Sequence, residues 1–134
     1  MNTQDISPVV DVASFAKGGA NTRLVYMYRD ADNYKQIADV VMPGAITLDQ
    51  AVAVMDGLDD DGGFVPSAVG LHDLQVQMVT DWDDQVDHPY HEIEGISLTD
   101  VKPDVELTAS EFVVNFAAAD WNAEGARVTT EHAA

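Results

Sequence analysis

The chain contains no cysteine, which excludes disulfides, thiolate-held zinc, iron–sulfur clusters and thiol catalysis. Basic residues are also scarce. Six Lys and Arg stand against twenty-four Asp and Glu, for a formal charge of −18 and a pI near 4.1. A surface this negative repels phosphate backbones and anionic headgroups, so direct binding of nucleic acid or membrane is not expected. No apolar run approaches the roughly 20 residues that span a bilayer. The first residues, Met1 to Ser7, hold neither the basic cluster nor the apolar stretch of a secretory signal. A soluble, cytoplasmic protein is the expectation. The 134 residues are 46% apolar, enough for one packed core.

The charge is unevenly placed. Between Lys35 and Lys102 lie 66 residues with fourteen acids and no base, whereas the two flanks together balance at −4. Two clusters dominate this stretch: Asp59, Asp60 and Asp61, and then Asp81, Asp83, Asp84 and Asp87. Like charges this close oppose compaction, so the middle of the chain is less stable than a neutral version would be.

Residues 1–20 read as a weakly structured segment, 21–120 as one domain, and 121–134 as a polar tail that frays from Gly125. Arg23 to Arg29 is rich in aromatic and β-branched residues and reads as a strand. Asp30-Ala31-Asp32-Asn33 supplies turn chemistry, and a second strand from Tyr34 to Met42 completes a hairpin ended by Pro43-Gly44. Thr47 with Gln50, and Thr108 with Glu111, form the two residue pairs of capping boxes. The first helix is expected to bury Leu48, Ala51, Val52 and Met55 and to stop at a left-handed Gly57. The second is expected to bury Phe112, Val113, Phe116 and Ala117, with a break or restart at Asp120-Trp121. Phe64 to Pro66 reads as a short extended edge and Glu92 to Leu98 as a strand. Residues 67–80 fit helix or strand equally. The predicted fold is α+β, a small mostly antiparallel sheet built on an N-terminal hairpin and covered by two helices.

No constellation specifies catalysis. His88, His91 and Glu92 are ligand types that zinc accepts, but Pro89 between the two histidines disturbs a helical His-x-x-His spacing. Asp59-Asp60-Asp61-Gly62-Gly63 resembles a calcium loop only in composition. Placing either glycine at the invariant glycine position puts Gly57 or Leu58 where the first acid ligand belongs. No serine sits in a Gly-x-Ser-x-Gly elbow, and neither glycine pair is followed by a phosphate-binding motif. Carboxylates are so abundant that any chosen glycosidase-like pair is uninformative. The chain is therefore expected to be non-enzymatic and without a cofactor or resident metal.

The segments Tyr28 to Lys35, Val40 to Thr47, Val69 to Gln75 and Asp87 to Glu92 resemble a pattern found in small uncharacterised bacterial proteins, covering residues 24–116. The resemblance implies a compact domain and no particular activity.

Three functions are compatible with these residues. The first is an acidic interaction protein that docks on a basic protein surface through Asp59, Asp60, Asp61, Asp81, Asp83, Asp84 and Asp87. In its sharp form it is a nucleic-acid mimic inhibiting a DNA- or RNA-binding protein, as anti-restriction and anti-CRISPR proteins do. Carboxylates at i and i+2 of a strand lie roughly 6.7 Å apart on one face, a spacing that can present repeated charge. The second is solvent adaptation of a halophilic kind, since Asp outnumbers Glu eighteen to six and Lys is limited to three. The third is a small metal-dependent enzyme around His88, His91 and Glu92.

Overall fold

Alternation sets the sheet. Along β1 (Asn21–Arg29), Thr22, Leu24, Tyr26 and Tyr28 are buried on one face, the period of a pleated strand. The structure, a computed structural model, describes residues 8–77 and 88–133. β2 (Lys35–Pro43) returns antiparallel after a turn built by Asp30, whose Oδ1 accepts from the amides of Asp32 (3.0 Å) and Tyr34 (2.8 Å). Asn33 takes the left-handed φ of 67° that Asn tolerates. β3 (Glu92–Thr99) pairs antiparallel with the other side of β1, giving the order β2-β1-β3. Its register shifts at Val25/Tyr26, where Glu94 bulges out of the ladder.

The free edge of β3 is closed by other parts of the chain. Asp11 donates its N–H to the carbonyl of Ile96 (2.9 Å), and Ile96 donates to the carbonyl of Val9 (3.1 Å). Ser14 Oγ accepts from the amide of Leu98 at 3.0 Å. Just ahead of β3, Phe64 and His91 exchange both backbone bonds, at 3.0 and 2.7 Å.

The predicted α+β class is the observed one; among the described residues it is a three-stranded antiparallel sheet with five helices where two were expected. Both capping boxes form, opening α2 (Leu48–Asp56) and α4 (Ala109–Ala118). The buried stripe of α2 is Ala51 and Val54, with Leu48 and Met55 packed beside it; Val54 takes the place expected of Val52. On α4, Ala109, Phe112 and Phe116 are buried, Val113 packs partly, and Ala117 is exposed.

Two local expectations need correction. Gly57 is not left-handed, having φ −87°. A Cβ there would lie 3.2 Å from the Ala53 carbonyl and 3.4 Å from the Phe116 ring, so close approach of α4 is what favours glycine. The extended stretch ends one residue early, because Pro66 begins the short α3 (Pro66–Val69) at the position where a missing N–H costs no hydrogen bond.

The flanks also differ from the expected loose ends. Val10 is buried, α1 (Val12–Lys17) follows it, and Phe15 packs against the core. The polar tail is instead α5 (Trp121–Ala133), whose Trp121, Gly125 and Val128 are buried at helical spacing. Of the ambiguous stretch, Leu74–Gln77 is a 3-10 turn; residues 78–80 lie outside the described residues.

Candidate functional site

The richest chemistry gathers where the loop after α2 meets the start of α5. Asp59 folds the loop onto itself. Its Oδ1 accepts from the amides of Asp61 (3.0 Å) and Gly63 (2.7 Å), and its own N–H donates to the Gly63 carbonyl (2.9 Å). Gly62 sits at φ 83°, where a side chain would be strained. Asp59 is thus half-buried and spends a carboxylate oxygen on the turn, whereas Asp60 and Asp61 are exposed. Of the acids expected to bind a partner, these three are placed. Asp81, Asp83, Asp84 and Asp87 lie outside the described residues.

Tyr90 ties the loop to α5. A Cβ on Gly63 would stand 2.9 Å from Tyr90 Cβ, and one on Gly125 would stand 2.3 Å from the Tyr90 hydroxyl oxygen. That hydroxyl donates to the carbonyl of Trp121 at 3.2 Å. Burial, together with the charges of Asp59 and Asp61, pushes the Tyr90 phenol above its ordinary pKa. Trp121 Nε1 in turn donates to the carbonyl of Gly57 at 2.7 Å, and its ring packs edge-on against Phe116 at 4.9 Å. Asp120 caps α5, accepting from the amide of Ala123 at 3.3 Å.

Together these groups frame an open hollow of about 610 Å³, lined by Asp59, Asp60, Asp61 and Asp120 with Tyr90 and Trp121 among the aromatic walls. Among the described residues, every charged one lining it is an acid. A second hollow of about 500 Å³ lies on the other side of the loop, where Arg29, His88 and Glu92 join Asp59 and Asp61.

The alternative metal grouping is taken apart by its hydrogen bonds. His91 is fully buried; its Nε2 accepts from the Leu74 amide (2.9 Å), so Nδ1 carries the proton and donates to the Pro89 carbonyl (3.1 Å). Burial pushes its pKa down to about 3, and the ring is neutral at pH 7. His88 is exposed, its Nδ1 accepting from the Tyr90 amide (3.1 Å) and its Nε2 facing the Arg29 carbonyl (3.1 Å). Glu92 pairs with Arg29 at 3.4 Å. Both histidine lone pairs are engaged by backbone amides, so the ligand set His88, His91 and Glu92 is not presented to a metal. The two histidines that residue type alone offered as alternative ligands are a buried structural histidine and a turn residue. Among the described residues, no group of three or more His, Asp and Glu side chains converges in a metal-holding arrangement.

Tyr90, Trp121 and Asp120 were missed as site residues. Their meeting depends on α5 packing against Tyr90, which the expectation of a polar tail fraying from Gly125 did not foresee. The signal available was Trp121, Gly125 and Val128 at helical spacing, with glycine in the place of an apolar residue. Comparison with protein-family models, curated proteins and solved structures finds no match to this chain. Among the described residues, no helix is long and apolar enough to cross a membrane.

Proposed function

We infer that the Asp59–Asp61 loop and the hollow beside it form a docking point for a basic protein surface. The observation that carries this reading is the grouping, among the described residues, of four carboxylates and no base around a hollow with aromatic walls. A lysine or arginine side chain entering there meets negative charge from several sides and a ring face for its cation. The turn bonds of Asp59 hold the loop in one shape before binding, so little ordering entropy is lost on contact. In its sharper form the partner is a nucleic-acid-binding protein, and the carboxylates stand where phosphates would. Such a chain acts by occupancy and needs no catalytic group of its own.

Solvent adaptation is favoured by a different observation. Exposed carboxylates also occur at Asp32, Asp49, Glu94, Asp100, Glu106, Glu111 and Glu131, on the hairpin, the helices and the loops. Spread of that kind serves hydration rather than recognition.

Titration with an arginine-rich peptide, followed by amide and indole NMR shifts, separates the two readings. Docking at the loop moves Gly62, Gly63 and the Trp121 indole first, and rising salt weakens binding because exposed charges are screened beyond roughly 8–10 Å. Asp60→Asn with Asp61→Asn weakens it, while Glu94→Gln with Glu106→Gln changes it little. Equal loss from both double variants, with shifts spread over the whole surface, returns the protein to the adaptation reading.

A further inference from the structure

The edge of β2 differs from the closed edge of β3. Asp30 donates to the Tyr34 carbonyl at 3.0 Å, and the register runs without a break from Arg29↔Lys35 to Asn21↔Pro43. Even-numbered residues of β2 therefore bond to β1, and the backbone groups of Lys35, Ile37, Asp39 and Val41 point outward. Val41 is taken. It donates to Asp104 Oδ1 (2.8 Å) and accepts from the Asp104 amide (3.0 Å). Among the described residues, nothing bonds to the outward backbone of Lys35, Ile37 or Asp39. A row of this kind is a template for another strand. Ile37, 64% exposed, lies at its centre on the sheet face opposite Leu24 and Tyr26, with exposed Lys35 and Asp39 on either side.

We propose that this edge pairs antiparallel with the same edge of a second copy, about a two-fold axis at Ile37. In that register Ile37 faces Ile37 of the other copy, and Lys35 faces the other copy's Asp39 in both directions. Asp39 also bonds Arg23 within its own chain, so each acid lies among two cations. Moving the axis to residue 36 sets Lys35 against an isoleucine. Moving it to residue 38 sets Lys35 against Val41, where Asp104 already holds the backbone. Charge and backbone availability select the same register. The pairing covers the exposed isoleucines and joins two three-stranded sheets into one.

Each copy carries −18, so long-range repulsion opposes association at low ionic strength, and salt strengthens it by screening. That dependence is opposite to the one expected for a basic partner at the Asp59 loop. The interface does not rest on the functional reading, and the loop lies beyond β3, on the other side of β1.

Light scattering on the size-separated full chain, over a range of salt concentrations, tests the interface. The expected mass is twice 14.5 kDa, with the dimer fraction rising with salt. Lys35→Asp alone and Asp39→Lys alone are each expected to be monomeric, because like charges then meet across the axis. Mixing these two variants restores a dimer, since the introduced acid faces the introduced base and the native groups face each other. Ile37→Lys is monomeric in every mixture. The substituted side chains are exposed, and far-ultraviolet circular dichroism checks that the fold is kept. A wild-type monomer at all salt concentrations overturns the proposal and leaves Lys35 and Asp39 as guards of a solitary edge. A dimer that survives all three substitutions, or a mixture that fails to restore one, overturns it equally.

Discussion

Gly125→Ala probes the contact that locks the acidic loop to the last helix. In an exposed helix this change stabilises by about 1 kcal/mol, because alanine loses less backbone entropy. Here the new methyl would stand 2.3 Å from the Tyr90 hydroxyl oxygen and 2.9 Å from the ring carbon that bears it. Tyr90 has little room to swing aside, since Gly63 lies so near that a Cβ there would stand 2.9 Å from Tyr90 Cβ, and its ring stacks on His88 at 6.4 Å. Overpacking of this kind costs about 1–3 kcal/mol, and so deep an overlap belongs at the upper end. The net expectation is destabilisation by about 1–2 kcal/mol once the propensity gain is subtracted. Tyr90→Phe alone loses the bond to the Trp121 carbonyl, worth about 1 kcal/mol. In the double variant the hydroxyl is gone and only the 2.9 Å ring contact remains. The two losses should therefore sum to more than the measured total, a favourable coupling of about 1 kcal/mol. Urea unfolding of the four proteins, at one pH and one salt concentration, measures it. Stabilisation by Gly125→Ala, or strict additivity with Tyr90→Phe, would falsify the packing of α5 on Tyr90.

His91 should remain neutral far below the ordinary histidine range, and ring nitrogen NMR should show the Nδ1–H form with no titration down to pH 4. The sign follows from the folded pKa of about 3 against 6.5 for the free side chain. This group's stabilising contribution is complete above pH 6.5 and is lost as pH falls from there toward 3. A ring that titrates near 6.5 in the folded protein refutes its burial. Replacing Asp59 by Ala should cost about 1 kcal/mol, since the amides of Asp61 and Gly63 lose their acceptor. Asp60→Asn should leave stability unchanged or slightly raised by relief of repulsion; thermal melts of both variants decide, and equal effects would contradict the turn.

Local chemistry was legible wherever neighbours in sequence are partners in space. Thr47 with Gln50, Thr108 with Glu111, and the Asp30 to Asn33 turn each close bonds within a few residues. Their geometry follows from residue type alone, and the hairpin between residues 22 and 42 follows from alternation. The overall charge also came from the sequence by itself, because net charge needs no coordinates. The tertiary structure alone decided which glycines are glycines for lack of room. Gly57 yields to Phe116, and Gly125 to Tyr90, across 59 and 35 residues of chain. It also decided that α5 is core, because Trp121 and Val128 become a stripe only when something apolar lies opposite. His91 is the sharpest case. Its neighbours in sequence left it a turn or strand-entry residue with a metal ligand as the alternative, whereas the bond from Leu74, seventeen residues away, makes it a buried acceptor. Long-range burial outweighs local pattern at such positions, since the free energy of satisfying a buried polar group depends on what the fold brings to it.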